Sequence, residues 1–114
     1  MNTTDKETFA KIILQQLGGN KFVVMTGSKN FAYENINEFN KIPYLRMNLS
    51  KNKCNVNRLK IFLNSNDTYT MYFYRQIIDK NFNVKISNEK RYEGIYFDML
   101  QDIFTEVTGL YTHL

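Results

Sequence analysis

The chain has 114 residues, of which 43% are hydrophobic and 23% are charged, and its formal net charge is +4. This length fits one domain over residues 1–114, and the composition excludes disordered, collagen-like and fibrous proteins. No apolar run approaches the roughly 20 residues of a membrane-spanning helix, and the first residues show no signal-peptide pattern. We therefore expect a cytoplasmic protein with no membrane contact.

The first predicted element is a helix over residues 5–17. Thr4 and Glu7 form a capping-box pattern, in which each side chain accepts a hydrogen bond from a backbone N–H group at the start of the helix. Gly18 and Gly19 predict its end, because glycine adopts the left-handed conformation of a helix C-terminus cheaply. The apolar residues at helical spacing form one stripe, made of Phe9, Ala10, Ile13, Leu14 and Leu17.

Two strands and a loop are predicted next. Residues 21–26, KFVVMT, are apolar on both alternating faces and predict a strand that is covered on both sides. Residues 30–41 show no clear period and predict a long loop, with a short strand or a turn of helix as alternatives. Residues 44–49 alternate cleanly and predict a second strand, with Leu45, Met47 and Leu49 on one face.

The clearest pattern is a β-hairpin over residues 57–76, where two runs of alternating apolar residues flank a polar turn. A loop with an odd number of residues brings all six apolar side chains onto one face, whereas an even loop would expose half of them. The buried face sets the register, so the odd loop is expected. Its apolar pairs are Leu63 with Tyr69, Ile61 with Met71, and Leu59 with Phe73. The pairs on the opposite face are Arg58 with Tyr74, Lys60 with Tyr72, and Phe62 with Thr70.

Three further elements complete the chain. Residues 82–86 alternate and predict one more strand, and residues 88–93 predict a polar turn. Residues 95–108 predict an amphipathic helix that ends before Gly109. The apolar face of this helix consists of Tyr96, Met99, Leu100, Ile103, Phe104 and Val107.

The order of helix, strands and helix, joined by short loops, predicts an α+β fold. We expect an antiparallel meander of about five strands with an N-terminal and a C-terminal helix packed on one face. That face is the one that carries Leu59, Ile61 and Leu63.

The sequence contains no recognisable catalytic or metal-binding set, so we expect no enzymatic activity, no cofactor and no bound metal. His113 is the only histidine, and Cys54, the only cysteine, is expected to be a surface thiol. Residues 26–29, TGSK, lack the glycine spacing of a phosphate-binding loop and predict a polar turn. Three acidic residues at four-residue spacing predict a solvated ridge, with a cation site or an interface as alternatives: Asp98, Asp102 and Glu106.

Two stretches together resemble a family of short uncharacterised proteins from phages, prophages and mobile elements. They are QQLGGNKFVVMTGSKNF, residues 15–31, and EGIYFDMLQDIFTEVTGLYTHL, residues 93–114. The resemblance covers about a third of the chain and brings no established activity, cofactor or catalytic residue. It implies a genomic setting in which small proteins act as regulators, nucleic-acid binders or inhibitors of host defence nucleases.

Charge is distributed unevenly along the chain and suggests a binding function. Residues 51–92 carry nine Lys and Arg against three Asp and Glu, whereas residues 93–114 carry four acidic residues and no Lys or Arg. If both helices cover one sheet face, cations and aromatic rings are left on the other. Alternating cations and rings suit single-stranded nucleic acid, because bases stack on rings while Lys and Arg contact phosphates. The residues expected to bind are Arg46, Arg58, Lys60, Phe62, Tyr72 and Tyr74.

Three functions are therefore expected of this open face. The first is binding of single-stranded nucleic acid or a host nucleoprotein. The alternative is an inhibitor of a host defence complex, similar to an anti-CRISPR protein that acts on an RNA-guided nuclease, because aromatic residues and Arg are enriched in protein interfaces. A homodimer that buries the same face is the third.

Overall fold

The computed structural model describes residues 3–35 and 43–112. Within this part of the chain, no helix is long and apolar enough to cross a membrane. The helices are α1 (Thr3–Leu17), α2 (Asn20–Thr26), a 3₁₀ turn (Phe97–Met99) and α3 (Leu100–Thr108). The strands are β1 (Lys29–Asn35), β2 (Pro43–Asn48), β3 (Arg58–Leu63), β4 (Tyr69–Ile78) and β5 (Val84–Ile95).

The five strands form one antiparallel sheet in the order β1-β2-β3-β4-β5, which confirms the predicted α+β meander. The β3–β4 hairpin has the predicted register at all six positions, with Leu59 opposite Phe73 and Lys60 opposite Tyr72. The odd loop is closed by a hydrogen bond from Asn64 N to Thr68 O at 2.9 Å. The register that places all six apolar side chains on one sheet face is thus the one adopted.

Both terminal helices pack on the predicted sheet face. Phe104 of α3 is fully buried, and its ring lies 4.9 Å from that of Phe22 and 6.3 Å from that of Phe73, measured between centroids. The main core residues from the helices are Ile13, Leu17, Phe22, Leu100, Phe104 and Val107. Those from the central strands are Leu45, Met47, Leu59, Ile61, Met71 and Phe73.

The strand predicted at residues 21–26 is wrong, because this segment forms α2. Gly18 and Gly19 end α1 with positive φ angles of 127° and 63°, and the chain then turns directly into a second helix. Phe22 and Thr26, four residues apart, are buried on one side of α2, while Val24 on the other side is 81% exposed. A short apolar run has no period long enough to distinguish a helix from a buried strand.

The elements near the C-terminus also differ from the prediction. The polar turn expected at residues 88–93 is part of β5, and the helix expected from residue 95 begins only at Leu100, after the 3₁₀ turn. Two irregularities in the β4–β5 register, near Asn88 and Gly94 with φ of 54° and 66°, accommodate this polar stretch in an edge strand. Gly109 ends α3 as predicted, with its N–H donating to Thr105 O.

The long loop predicted at residues 30–41 is corrected in part. Its first residues lie in β1, which pairs with β2, so the alternative of a short strand holds there. Residues 36–41 of this prediction lie outside the described residues.

Candidate binding surface

The six predicted binding residues lie together on the sheet face that points away from the helices, here called the second face. β2, β3 and β4 contribute them through strict alternation with core residues. Cross-strand pairing sets Arg46 opposite Lys60, Lys60 opposite Tyr72, and Tyr72 opposite Arg91. These four side chains thus form one row across four strands, here called the basic row.

The aromatic rings of the second face pack against one another and are not individually exposed to solvent. Tyr44 and Phe62 have ring centroids 5.0 Å apart, and Tyr72 stacks on Tyr74 at 4.8 Å. The ammonium group of Lys60 lies 5.1 Å from the Tyr44 centroid and 5.6 Å from the Tyr74 centroid, within cation–π range. Phe62 is therefore only 9% exposed and Tyr74 only 4%. This corrects the expectation that both rings point outward into solvent, and leaves Tyr72 as the most accessible of these four rings.

The hydroxyl group of Tyr72 is fixed by a carboxylate. It donates a hydrogen bond to Glu89 Oε1 at 2.9 Å. Burial, followed by this hydrogen bond, raises the pKa of Tyr72 to about 12, so the phenol is neutral and a donor at physiological pH. Arg91, the last residue of the basic row, pairs with Glu93 at 3.0 Å in an exposed position.

Beyond the sheet, β4 and β5 continue as a projecting hairpin, here called the arm (residues 75–87). β3 pairs with β4 only as far as Tyr74, but β4 and β5 go on pairing as far as Ile78 with Val84. Ile78 and Ile86 are 62% and 42% exposed, Val84 is 57% exposed, and Phe82 in the turn is 86% exposed. By alternation from Tyr74, Ile78 lies on the second face, so the apolar surface of the arm extends that face outward.

The turn of the arm is organised by one carboxylate. Asp79 Oδ1 accepts hydrogen bonds from the backbone N–H groups of Asn81 and Asn83, both at 2.9 Å. These bonds, that from Asn83 first, hold the pKa of Asp79 below its usual value. Phe82 has a positive φ of 64°, which is uncommon for a bulky residue, and its ring points into solvent.

The root of the arm is attached to the loop before β3. Asn57 pairs with the backbone of Gln76 through two hydrogen bonds of 2.9 and 2.8 Å. Asn55 accepts hydrogen bonds from Arg75 through its side-chain oxygen and from Asn88 through its carbonyl oxygen, at 3.0 and 3.1 Å. The arm therefore leaves the sheet from a fixed base.

A groove of about 460 Å³ lies between α1 and the start of α3. Ile12 and Phe97 form its exposed apolar walls, at 46% and 61% exposure. Gln101 Nε2 donates to Gln16 O at 3.1 Å and thereby ties the two helices together. The full lining is Ile12, Gln15, Gln16, Phe97, Asp98, Gln101 and Asp102.

The remaining candidate residues of the sequence analysis are His113, Cys54 and residues 26–29. Among the described residues, no three His, Cys, Asp or Glu side chains are placed to hold a metal ion. Cys54 is partly buried against the core rather than lying on the open surface, and His113 lies outside the described residues. Residues 26–29 form the end of α2, its glycine cap and the start of β1.

Comparison of the chain with protein-family models, curated proteins and solved structures gives no match.

The arm and the groove are not visible in the sequence pattern. The alternating pattern of residues 82–86 predicts a strand. It does not distinguish a strand whose apolar side packs on the core from one whose apolar side is exposed to solvent. The groove joins residues 12–16 to residues 97–102, a proximity that only the packing of α1 against α3 creates.

Proposed function

We propose that the protein is a non-enzymatic binding protein that contacts a protein partner through its arm. The observation that carries this proposal is the cluster of four large apolar side chains on one projecting hairpin. These are Ile78, Phe82, Val84 and Ile86, each at least 42% exposed. Several large apolar side chains exposed on one short hairpin are typical of an interaction site.

The arm carries a net positive charge, which favours a partner with an acidic surface. Arg75, Lys80 and Lys85 lie on the arm against one acidic residue, Asp79. A matching surface therefore has an apolar pocket with carboxylates at its rim, since complementary charges orient partners and reject wrong ones. The resemblance to phage and mobile-element proteins supports a host defence complex, such as an RNA-guided nuclease, as one class of partner.

Nucleic-acid binding through the second face is a second candidate function, favoured by the basic row. Arg46, Lys60 and Arg91 carry three cations across the sheet, with Tyr72 between the last two. Because Phe62 and Tyr74 are buried, this candidate depends on phosphate contacts more than on base stacking.

Photo-crosslinking from the arm tests the leading proposal. A photoreactive residue at position 82 should give adducts with a partner protein in host lysate, and the same residue at position 24 should not. Val24 is a matched control because it is 81% exposed, close to the 86% of Phe82, but lies on α2. The adducts should survive nuclease treatment. Equal labelling from both positions, or no adduct from position 82, would contradict the proposal.

A further inference from the structure

We infer that the partner of the arm is a second copy of this chain, and that the arm enters the groove between α1 and α3 of that copy. This inference names the partner within the proposed function and rests on it. Two surfaces of one molecule, the arm and the groove, match each other in chemistry.

The groove has the chemistry that the arm requires. Its apolar walls, Ile12 and Phe97, are exposed and unlike the polar glutamines around them. Asp98 and Asp102 also line it, and among the described lining residues there is no Lys or Arg. An exposed ring such as that of Phe82 can bury itself between these walls while Lys80 approaches the carboxylates.

One chain cannot make this contact with itself. The arm lies at the start of β5 and the groove at its end, because Phe97 follows Ile95 by two residues. β5 runs alongside the ten residues of β4, from Ile95 opposite Tyr69 to Val84 opposite Ile78, which corresponds to about 30 Å of strand. The longest dimension of the molecule is 39 Å. The arm tip and the groove therefore lie toward opposite ends of β5, too far apart to meet within one chain.

Two copies related by a twofold axis satisfy both contacts at once. When the β5 strands of the two copies run in opposite directions, the arm tip of each copy lies beside the groove of the other. The result is a closed dimer with two equivalent contacts rather than an open chain of molecules. Using the contact twice also doubles the buried area, which matters because one hairpin is smaller than a standard interface.

Sedimentation velocity over a range of protein concentrations tests the inference with the full chain. The wild-type protein should form dimers, and Phe82→Asp should shift it to monomers. Val24→Asp removes an equally exposed apolar side chain outside both surfaces and should leave the dimer unchanged. Circular dichroism should show the same fold for each variant, because both positions are exposed.

Charge reversal then identifies the contact. Lys80→Glu alone, or Asp98→Lys together with Asp102→Lys, should raise the dimer dissociation constant at least about tenfold, since like charges then face each other. Mixing these two variants should restore dimers, because one contact of the mixed dimer is wild-type and the other has both charges reversed.

The outcomes separate this inference from the proposed function. A wild-type protein that stays monomeric, or a dimer that Phe82→Asp leaves intact, overturns the arm-to-groove contact. If the monomer still gives adducts with a different protein from position 82 but not from position 24, the proposed function stands with another partner. Each charge variant alone should lose the dimer. If mixing the two variants then fails to restore it, the groove is not the site that the arm enters.

Discussion

The side-chain amide of Asn57 makes the two backbone hydrogen bonds with Gln76 that a neighbouring strand would otherwise make. Asn57 Nδ2 donates to Gln76 O at 2.9 Å, and Gln76 N donates to Asn57 Oδ1 at 2.8 Å. Gln76 is the second residue beyond the last β3–β4 pair, Arg58 with Tyr74. One amide side chain therefore extends the hydrogen-bond ladder of the sheet to the root of the arm.

Replacing Asn57 should loosen the arm without unfolding the sheet. Asn57→Ala removes two hydrogen bonds to the backbone of Gln76, each contributing about 1 kcal/mol net. Amide hydrogen exchange should therefore become faster in residues 75–87 and stay unchanged at the central pairs of β3 and β4. Asn81→Ala is the control, because Asn81 is exposed in the turn and contributes only its backbone N–H to Asp79. Uniformly faster exchange throughout the sheet would mean that Asn57 supports the whole fold.

The stability of the domain should depend strongly on Phe104. This side chain is fully buried between Phe22 and Phe73, so Phe104→Ala removes apolar contacts and leaves a cavity. We expect the free energy of unfolding, measured by chemical denaturation, to fall by about 3–5 kcal/mol.

Glu106→Ala provides the matched control on the same helix. Glu106 is exposed on the opposite side of α3, and surface changes of this kind usually shift stability by less than about 0.5 kcal/mol. Equal destabilisation by the two substitutions would show that the buried side of α3 has been misassigned.

The β3–β4 hairpin could be predicted residue by residue because a single physical criterion decides it. Only an odd loop puts Leu59, Ile61 and Met71 with their neighbours on one face, and the cost of exposing them excludes the alternative. The side on which the helices pack followed from the same pattern. No comparable criterion exists for KFVVMT, which can bury its apolar residues as a helix or as a strand.

The start of β5 was predicted as a strand over residues 82–86, but the projection of the arm and the rest of β5 could not be predicted, because these features depend on what lies next to them. β5 is a polar edge strand whose irregularities near Asn88 and Gly94 leave no hydrophobic signal in the sequence. β3 begins at Arg58, opposite Tyr74, so it does not extend alongside the arm, where Phe82 and Val84 are exposed. The sequence around residues 82–84 carries no information about where β3 begins. The basic row could be predicted in part, since β2–β4 supply three of its four members.

The turn of the arm should open at low pH. Hydrogen bonds from the Asn83 and Asn81 backbone hold the pKa of Asp79 below its usual value in the folded protein. A carboxylate of this kind stabilises the turn above its unfolded pKa, and the contribution is lost as the pH falls through the folded pKa. Amide resonances of Asn81 and Asn83 should therefore shift together on acidification. Asp79→Asn should abolish this shared titration, and its persistence in that variant would assign it to another group.

The second candidate function makes a separate prediction about salt. If the basic row holds a single strand through about three phosphate contacts, the logarithm of the affinity should fall with the logarithm of the salt concentration at a slope near −2. The slope counts released counterions, so it reports phosphate contacts independently of any stacking on Tyr72.

Substitutions in the row should then separate charge from stacking. Lys60→Gln removes the charge that lies against the Tyr44 and Tyr74 rings, so the slope should become shallower by about 0.7. Tyr72→Ala should weaken binding at every salt concentration with little change in slope, because stacking releases no counterions. Lys21→Gln, an exposed site on α2, is the control and should change neither quantity. Absence of binding to single-stranded RNA and DNA at low salt would exclude the nucleic-acid function. If Lys60→Gln leaves the slope unchanged, Lys60 contacts no phosphate, and any observed binding takes place on another surface.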